Sequence, residues 1–143
     1  FTLRDQHGRR TSLDDLRRHG PVVVVFYPFA FSGVCTGELH ELRDHGSRLT
    51  DVGAALLAVS CDPMFALRVF ADQDSLEFPL LSDFWPHGAT AQAYGVFNDK
   101  AGMALRGTFL VDADGTIAFA EVNQPGDARE QSGWKDAVAK IAA

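Results

Sequence analysis

The chain predicts an α/β fold with a mixed central β-sheet flanked by helices on both faces, and three observations carry that prediction. Strand-like and helix-like segments alternate along most of the sequence. Val22 to Phe26 and Ala54 to Ser60 are near-continuous apolar runs, the pattern of strands covered on both sides. Towards the end the alternation gives way to two strand-like segments around Asp112-Ala113-Asp114-Gly115, a strong hairpin signal, so the sheet is mixed rather than wholly parallel.

Each element has its own signal. Phe1-Thr2-Leu3-Arg4 and Arg9 to Thr11 flank a Gly-containing turn and read as a small hairpin. Ser12 is placed to cap a helix over Leu13 to Arg18, with Asp15 three residues on and Gly20 as the stop. Val22 to Phe26 is the first buried strand. After a Pro- and Gly-containing loop, a helix follows in which Leu39, Leu42, Gly46 and Leu49 recur at three- and four-residue intervals as one core face. Ala54 to Ser60 is the next strand. Pro63 opens a helix whose Phe65, Val69 and Phe70 are expected to face inward. Phe78 to Leu81 is short and extended, and Ala89 to Tyr94 reads as another helix. Gly107 to Val111 and Thr116 to Val122 are the arms of the hairpin. Trp134, Val138 and Ile141 form the inner stripe of a last helix.

Composition narrows the class. The 143 residues make one domain, 1–143, with room for a single core, and 46% hydrophobic residues exclude a disordered chain. No apolar stretch approaches membrane-spanning length, so no membrane association is expected. A net charge of −6 argues against nucleic acid as a partner; the doublets Arg9-Arg10 and Arg17-Arg18 have acidic neighbours and read as solvated surface. Two cysteines do not make a disulfide scaffold and fit a reducing compartment, the cytoplasm. No secretory signal is visible, and a start at Phe1 without Met suggests that a short N-terminal segment has been trimmed.

Chemistry concentrates in Tyr27-Pro28-Phe29-Ala30-Phe31-Ser32-Gly33-Val34-Cys35-Thr36-Gly37-Glu38, directly after the first buried strand. This puts Cys35 in the first turn of a helix at the carboxyl end of a central strand. Unpaired N–H groups and the positive end of the helix dipole favour an anion there, so a thiolate nucleophile and redox or covalent chemistry are expected. The bland alternative is a buried structural cysteine; its setting beside Pro, Ser and Gly speaks for the reactive reading. Ionising an ordinary thiol fully raises its reactive fraction only about thirtyfold at neutral pH. Enzyme accelerations are typically about 10⁶-fold or more, so the site must also position and polarise its substrate.

Pro28-x-x-x-Ser32-x-x-Cys35, with Glu38 three residues later and Arg106 in Leu105-Arg106-Gly107-Thr108-Phe109, resembles the active-site pattern of the peroxiredoxins. Leu80 to Gly88 and Ala93 to Phe97 are most similar to the one-cysteine alkyl hydroperoxide reductase E subfamily. The resemblance runs over nearly the whole chain and implies a thioredoxin-like fold, although the Cys-x-x-Cys pair of thioredoxin is absent. It implies a thiol-dependent peroxidase acting on hydrogen peroxide, organic hydroperoxides and peroxynitrite through a Cys35 sulfenic acid. An external thiol would restore the enzyme: a low-molecular-weight thiol such as mycothiol with a glutaredoxin-like protein, or thioredoxin. It also implies a homodimer, requires no haem, flavin or metal, and usually goes with a few residues before the equivalent of Phe1.

Within that frame Arg106 is expected to reach from a neighbouring strand to the thiolate and the peroxide oxygens, a task suited to a fixed, always-charged fork of donors; an ordinary surface arginine is the alternative. Ser32 can donate to a peroxide oxygen, or simply form the turn beside Gly33. Pro28 shapes the pocket and helps exclude water. The N–H groups of Val34 and Cys35 can bind the second oxygen. Glu38, one turn from Cys35, either holds Arg106 in place or is a first-turn carboxylate favoured by the dipole. Phe31, Phe84 and Trp85 are candidates for an apolar wall, with core packing as the alternative.

Cys61 reads as a packed residue at a strand end rather than a resolving cysteine: position 40, five after Cys35, is His40, and no cysteine follows Cys61. Zinc binding by Cys35, His40 and His45 is rejected, because steps of five turn successive helical side chains about 140° apart. A thiol–disulfide oxidoreductase and a redox-sensing or holdase-type interaction protein are the alternatives to a peroxidase. The missing Cys-x-x-Cys pair weighs against the first, and peroxide turnover with a reductant separates all three.

Overall fold

The computed structural model describes residues 1–44, 46–123, 136, 137 and 139. The N-terminal hairpin pairs β1 (Thr2–Arg4) with β2 (Arg10–Ser12). Ser12 then caps α1 (Leu13–Arg17), its hydroxyl accepting the Asp15 N–H at 3.4 Å. β3 (Val22–Phe26) is buried along its whole length. Next come α2 (Gly33–Asp44) and α3 (Gly46–Asp51), from which Leu39, Leu42 and Leu49 all reach the core. β4 (Ala55–Ser60) leads into α4 (Met64–Asp74), and β5 (Leu80–Ser82) into α5 (Ala89–Ala93). A two-stranded ribbon, β6 (Phe97–Asn98) with β7 (Met103–Ala104), has no counterpart in the sequence reading. β8 (Arg106–Val111) and β9 (Ile117–Asn123) close the described fold as the expected hairpin. Its turn forms as read: Asp112 Oδ1 accepts the N–H groups of Asp114 and Thr116 at 3.0 and 2.9 Å, and Gly115 takes the positive φ of 88° that the turn needs.

The main sheet has the order β2-β1-β5-β4-β3-β8-β9. β3, β4 and β5 run parallel, and β8 joins β3 antiparallel. The mixed sheet follows from the sequence of elements: helices carry the chain between parallel strands, and a hairpin ends it. β3 divides its side chains between two cores. Val23 and Val25 pack with Leu39, Leu42, Leu67 and Phe70 on one face, and Val22, Val24 and Phe26 pack with Leu57, Val59, Ala91 and Phe109 on the other. This is why the strand reads as an unbroken apolar run and not as an alternation. Each such buried side chain stabilises the fold by about 1.5–3 kcal/mol relative to exposure.

One helix face needs correcting. Phe70 is buried as expected, but Phe65 is 68% exposed and Val69 also faces out. Leu67, Phe70 and Ala71 make the inner stripe instead. At about 100° per residue, Phe65 and Val69 lie nearly opposite Leu67, so one stripe cannot hold both sets. The expected last helix, with Trp134, Val138 and Ile141, falls at positions outside the described residues.

Candidate active site

The register of the sheet brings the two halves of the site together. β8 runs antiparallel to β3 with Gly107 opposite Phe26, so Arg106 enters the sheet where β3 ends and the loop to Cys35 begins. Its Nη2 donates to Cys35 Sγ at 3.1 Å, across 71 positions of chain. Its Nη1 donates to Glu38 Oε1. Cys35 is fully buried, Arg106 is 2% exposed and Glu38 5%. Arg106 is therefore a buried cation with one donor on the sulfur and another on a carboxylate. Such a group is held in one orientation, because turning it away from either partner would strand a charge in the interior. Of the two readings open for Glu38, holding Arg106 is the one this geometry favours.

The loop between β3 and α2 shapes the approach to the sulfur. Pro28 is buried. Ser32 is half-buried, and its hydroxyl donates to the Phe29 carbonyl at 3.2 Å, while its carbonyl accepts the Thr36 N–H at 2.9 Å. Turn-forming and substrate-facing roles can coexist, since a hydroxyl has lone pairs left to offer and can rotate its proton. The Val34 and Cys35 N–H groups belong to the first turn of α2 and have no acceptor within the helix. Phe31 takes a positive φ of 69°, an uncommon and strained conformation for a bulky side chain. It costs about 1–3 kcal/mol and persists only where the surroundings impose it. Its half-exposed ring packs against that of Phe70, with centroids 5.1 Å apart.

The structure does not bring Trp85 to this wall. Trp85 is 81% exposed. It lines, with Phe84, a cavity of about 510 Å³ whose other walls include Leu3, Arg4, Met64 and Phe65, and no residue of the Cys35 loop. Among the described residues the rings of Phe31 and Trp85 make no contact; the ring that Phe31 packs against is that of Phe70.

Cys61 lies just beyond β4. It continues the phase of Leu57 and Val59, which pack on the face opposite to Cys35. Burial, then the nearby carboxylates of Asp83 and Asp62, pushes its thiol up to about 11. At pH 8 that leaves about one thiolate in a thousand. Iodoacetamide at pH 8 is expected to label Cys35 and leave Cys61 unmodified, as read by peptide mass; equal labelling would contradict this placement. His40 pairs with Asp74 at 2.7 Å, tying α2 to α4, and no group of metal-ligating side chains gathers among the described residues.

Three polar residues here have no part in the sequence reading. Tyr27 is fully buried beside Ser60. Ser60 and Asp62 bond to each other at 2.7 Å, and Asp62 also accepts the Ala30 N–H at 2.8 Å. They stand on either side of Cys61. Two polar residues closing an apolar strand were the available signal.

A cysteine opening a helix after a parallel strand, gripped by an arginine from the antiparallel neighbour, defines a thiol-based redox protein on a thioredoxin-like fold. Residues 1–120 match the model of the AhpC/TSA family, and the chain belongs to that family, the peroxiredoxins. Alkyl hydroperoxide reductase E of Mycobacterium tuberculosis is 51% identical over 143 residues, covering 100% of this chain and 94% of that protein. Among solved structures, peroxidoxin BcpB from Mycobacterium tuberculosis aligns with TM-score 0.83 at 30% identity, covering 99% of this chain and 90% of that one. AhpC of Enterococcus faecalis aligns with TM-score 0.88 at 28% identity, covering 98% and 86%. No helix among the described residues is long and apolar enough to cross a membrane.

Proposed function

We propose that this peroxiredoxin reduces peroxides through Cys35 as the peroxidatic nucleophile, and the observation that carries the assignment is the Arg106 guanidinium shared between Cys35 Sγ and the buried Glu38. The Cys35 thiolate attacks one peroxide oxygen. An S–O bond forms as the O–O bond breaks, and the leaving oxygen takes a proton and departs as water or an alcohol, or departs as nitrite where the substrate is peroxynitrite. Sulfur is oxidised to a sulfenic acid and the peroxide is reduced. Arg106 places positive charge where the two oxygens separate. Ser32 and the Val34 and Cys35 N–H groups orient the substrate, Pro28 and Phe31 limit water, and Glu38 fixes the guanidinium. Hydrogen peroxide, organic hydroperoxides and peroxynitrite all offer the required O–O bond.

Recycling falls to an outside thiol, which attacks the sulfenic sulfur, expels water and leaves a mixed disulfide; a second thiolate then releases Cys35. A low-molecular-weight thiol such as mycothiol with a glutaredoxin-like protein, or thioredoxin, fits that role. The placement of Cys61 supports this, because a disulfide needs Cα atoms within about 7 Å and the sheet lies between the two faces. The exposed apolar residues Phe29, Phe31, Val34, Phe65, Val69, Phe84 and Trp85 all follow the carboxyl ends of the parallel strands. A second copy covering that rim, as a homodimer, would remove it from water. Two free thiols suit the cytoplasm.

One equivalent of peroxide, without reductant, is expected to add a single oxygen to Cys35. Excess peroxide should carry it to the sulfinic acid, and a small thiol added first should give a mixed disulfide at Cys35. Intact mass and peptide mapping check this. A loss of two hydrogens mapped to a Cys35–Cys61 link would overturn the one-cysteine mechanism.

A further inference from the structure

Asp62 ties the ends of three neighbouring parallel strands together. Its Oδ2 accepts the Ala30 N–H of the loop after β3 at 2.8 Å and the hydroxyl of Ser60, the last residue of β4, at 2.7 Å. Its carbonyl accepts the hydroxyl of Ser82, the last residue of β5, at 2.6 Å. Ala30 directly precedes Phe31, whose φ of 69° is the strained point of the loop. A residue in that conformation relaxes unless the chain is anchored on both sides. On the far side Ser32 supplies the anchor, through Thr36 N–H to its carbonyl and its own hydroxyl to Phe29. On the near side the anchor is Asp62. If it let go, Phe31 could turn back to negative φ, and Ser32 and the Val34 N–H would shift relative to Arg106, while the Cys35 sulfur stays tied to Arg106 Nη2, which β8 holds separately.

We propose that Asp62 is a positioning residue for peroxide reduction: by holding the Ala30 N–H it keeps the strained loop in the shape that presents Ser32 and the first N–H groups of α2 to the substrate. It does not touch the sulfur. The inference rests on the peroxidase reading above and adds a residue to it. The bond required is from an N–H to an oxygen acceptor, so the acceptor matters and its charge does not.

The test compares Asp62→Ala and Asp62→Asn with the wild type in two reactions of Cys35. Peroxide needs its oxygens placed; iodoacetamide needs only an accessible thiolate. Asp62→Ala is expected to lower the second-order rate with hydrogen peroxide about tenfold or more, the scale of a modest misplacement of reacting groups. Its rate of Cys35 alkylation, mapped by peptide mass across pH, should stay within about twofold and keep the same midpoint. Asp62→Asn keeps an acceptor oxygen and should restore the peroxide rate to within about threefold. If Asp62→Ala loses its thermal transition, Asp62→Ser, too short to reach Ala30, takes its place. An unchanged peroxide rate in Asp62→Ala overturns the proposal. So does a fall in alkylation matching the fall with peroxide, or an Asn variant as impaired as the Ala variant. A wild type that alkylates at Cys35 yet consumes no peroxide sinks the peroxidase reading, and this inference with it.

Discussion

Cys35→Ser is expected to abolish peroxide consumption, while Cys61→Ser leaves the first oxidation step nearly unchanged. A serine hydroxyl at position 35 would remain protonated at neutral pH and is a far weaker nucleophile than a thiolate, so the S–O bond has no counterpart. The contrast between the two cysteines is spatial. Arg106 donates to Cys35, which is on the α2 side of the sheet. Cys61 sits beside Asp83 and Asp62, whose charges oppose its ionisation on top of its burial. One thiol meets a cation and the other meets anions. The measurement is single-turnover peroxide consumption by stopped flow on both variants. Comparable losses in the two would show that Cys61 takes a chemical part, and the assignment of Cys35 as sole nucleophile would fall.

Arg106→Lys keeps the charge and is nevertheless expected to cut the peroxide rate by about 10²-fold or more, the effect of removing one transition-state donor. The guanidinium uses Nη1 for Glu38 and Nη2 for Cys35, two donors held in one plane at a fixed angle. A lysine ammonium is a single point. Placed against Glu38 it leaves the sulfur and the peroxide oxygens; placed against the sulfur it gives up the bond to Glu38, which is 5% exposed. Losing a partner from a buried pair costs about 3–5 kcal/mol, so the midpoint of chemical denaturation should fall as well. A single variant Arg106→Lys within about threefold of the wild-type rate would place Arg106 outside the chemistry.

Much of this was legible in the chain because its signals are local. The apolar run Val22 to Phe26 needed no partner to read as a doubly buried strand, and β3 has those bounds. Ser12 caps its helix through the Asp15 N–H three residues on. Asp112 and Gly115 form the hairpin turn from within four residues. The spacing of Pro28, Ser32 and Cys35 holds one end of the site within a single loop and helix start. Helix facing was less legible: Phe65, Val69 and Leu67 are all apolar, and only the position of the sheet decides which of them is buried.

What the amino-acid sequence determined by itself was most of the strands and helices, though not the ribbon of β6 and β7, the class of fold, and a cysteine at a helix start. Backbone preferences, caps and turns act over a few residues and are written where they act. The tertiary structure alone decided that β8 lies beside β3 in a register that sets Arg106 against Cys35, that Cys61 is set beside Asp83 and Asp62, and that Trp85 lines a cavity with Leu3, Met64 and Phe65. It alone decided that Asp62 would hold Ala30, 32 positions away. Pairings of that kind depend on strand order and register. These are chosen by the packing of two whole cores at once, because a slip of one residue in β8 would turn every side chain of the strand to the wrong face.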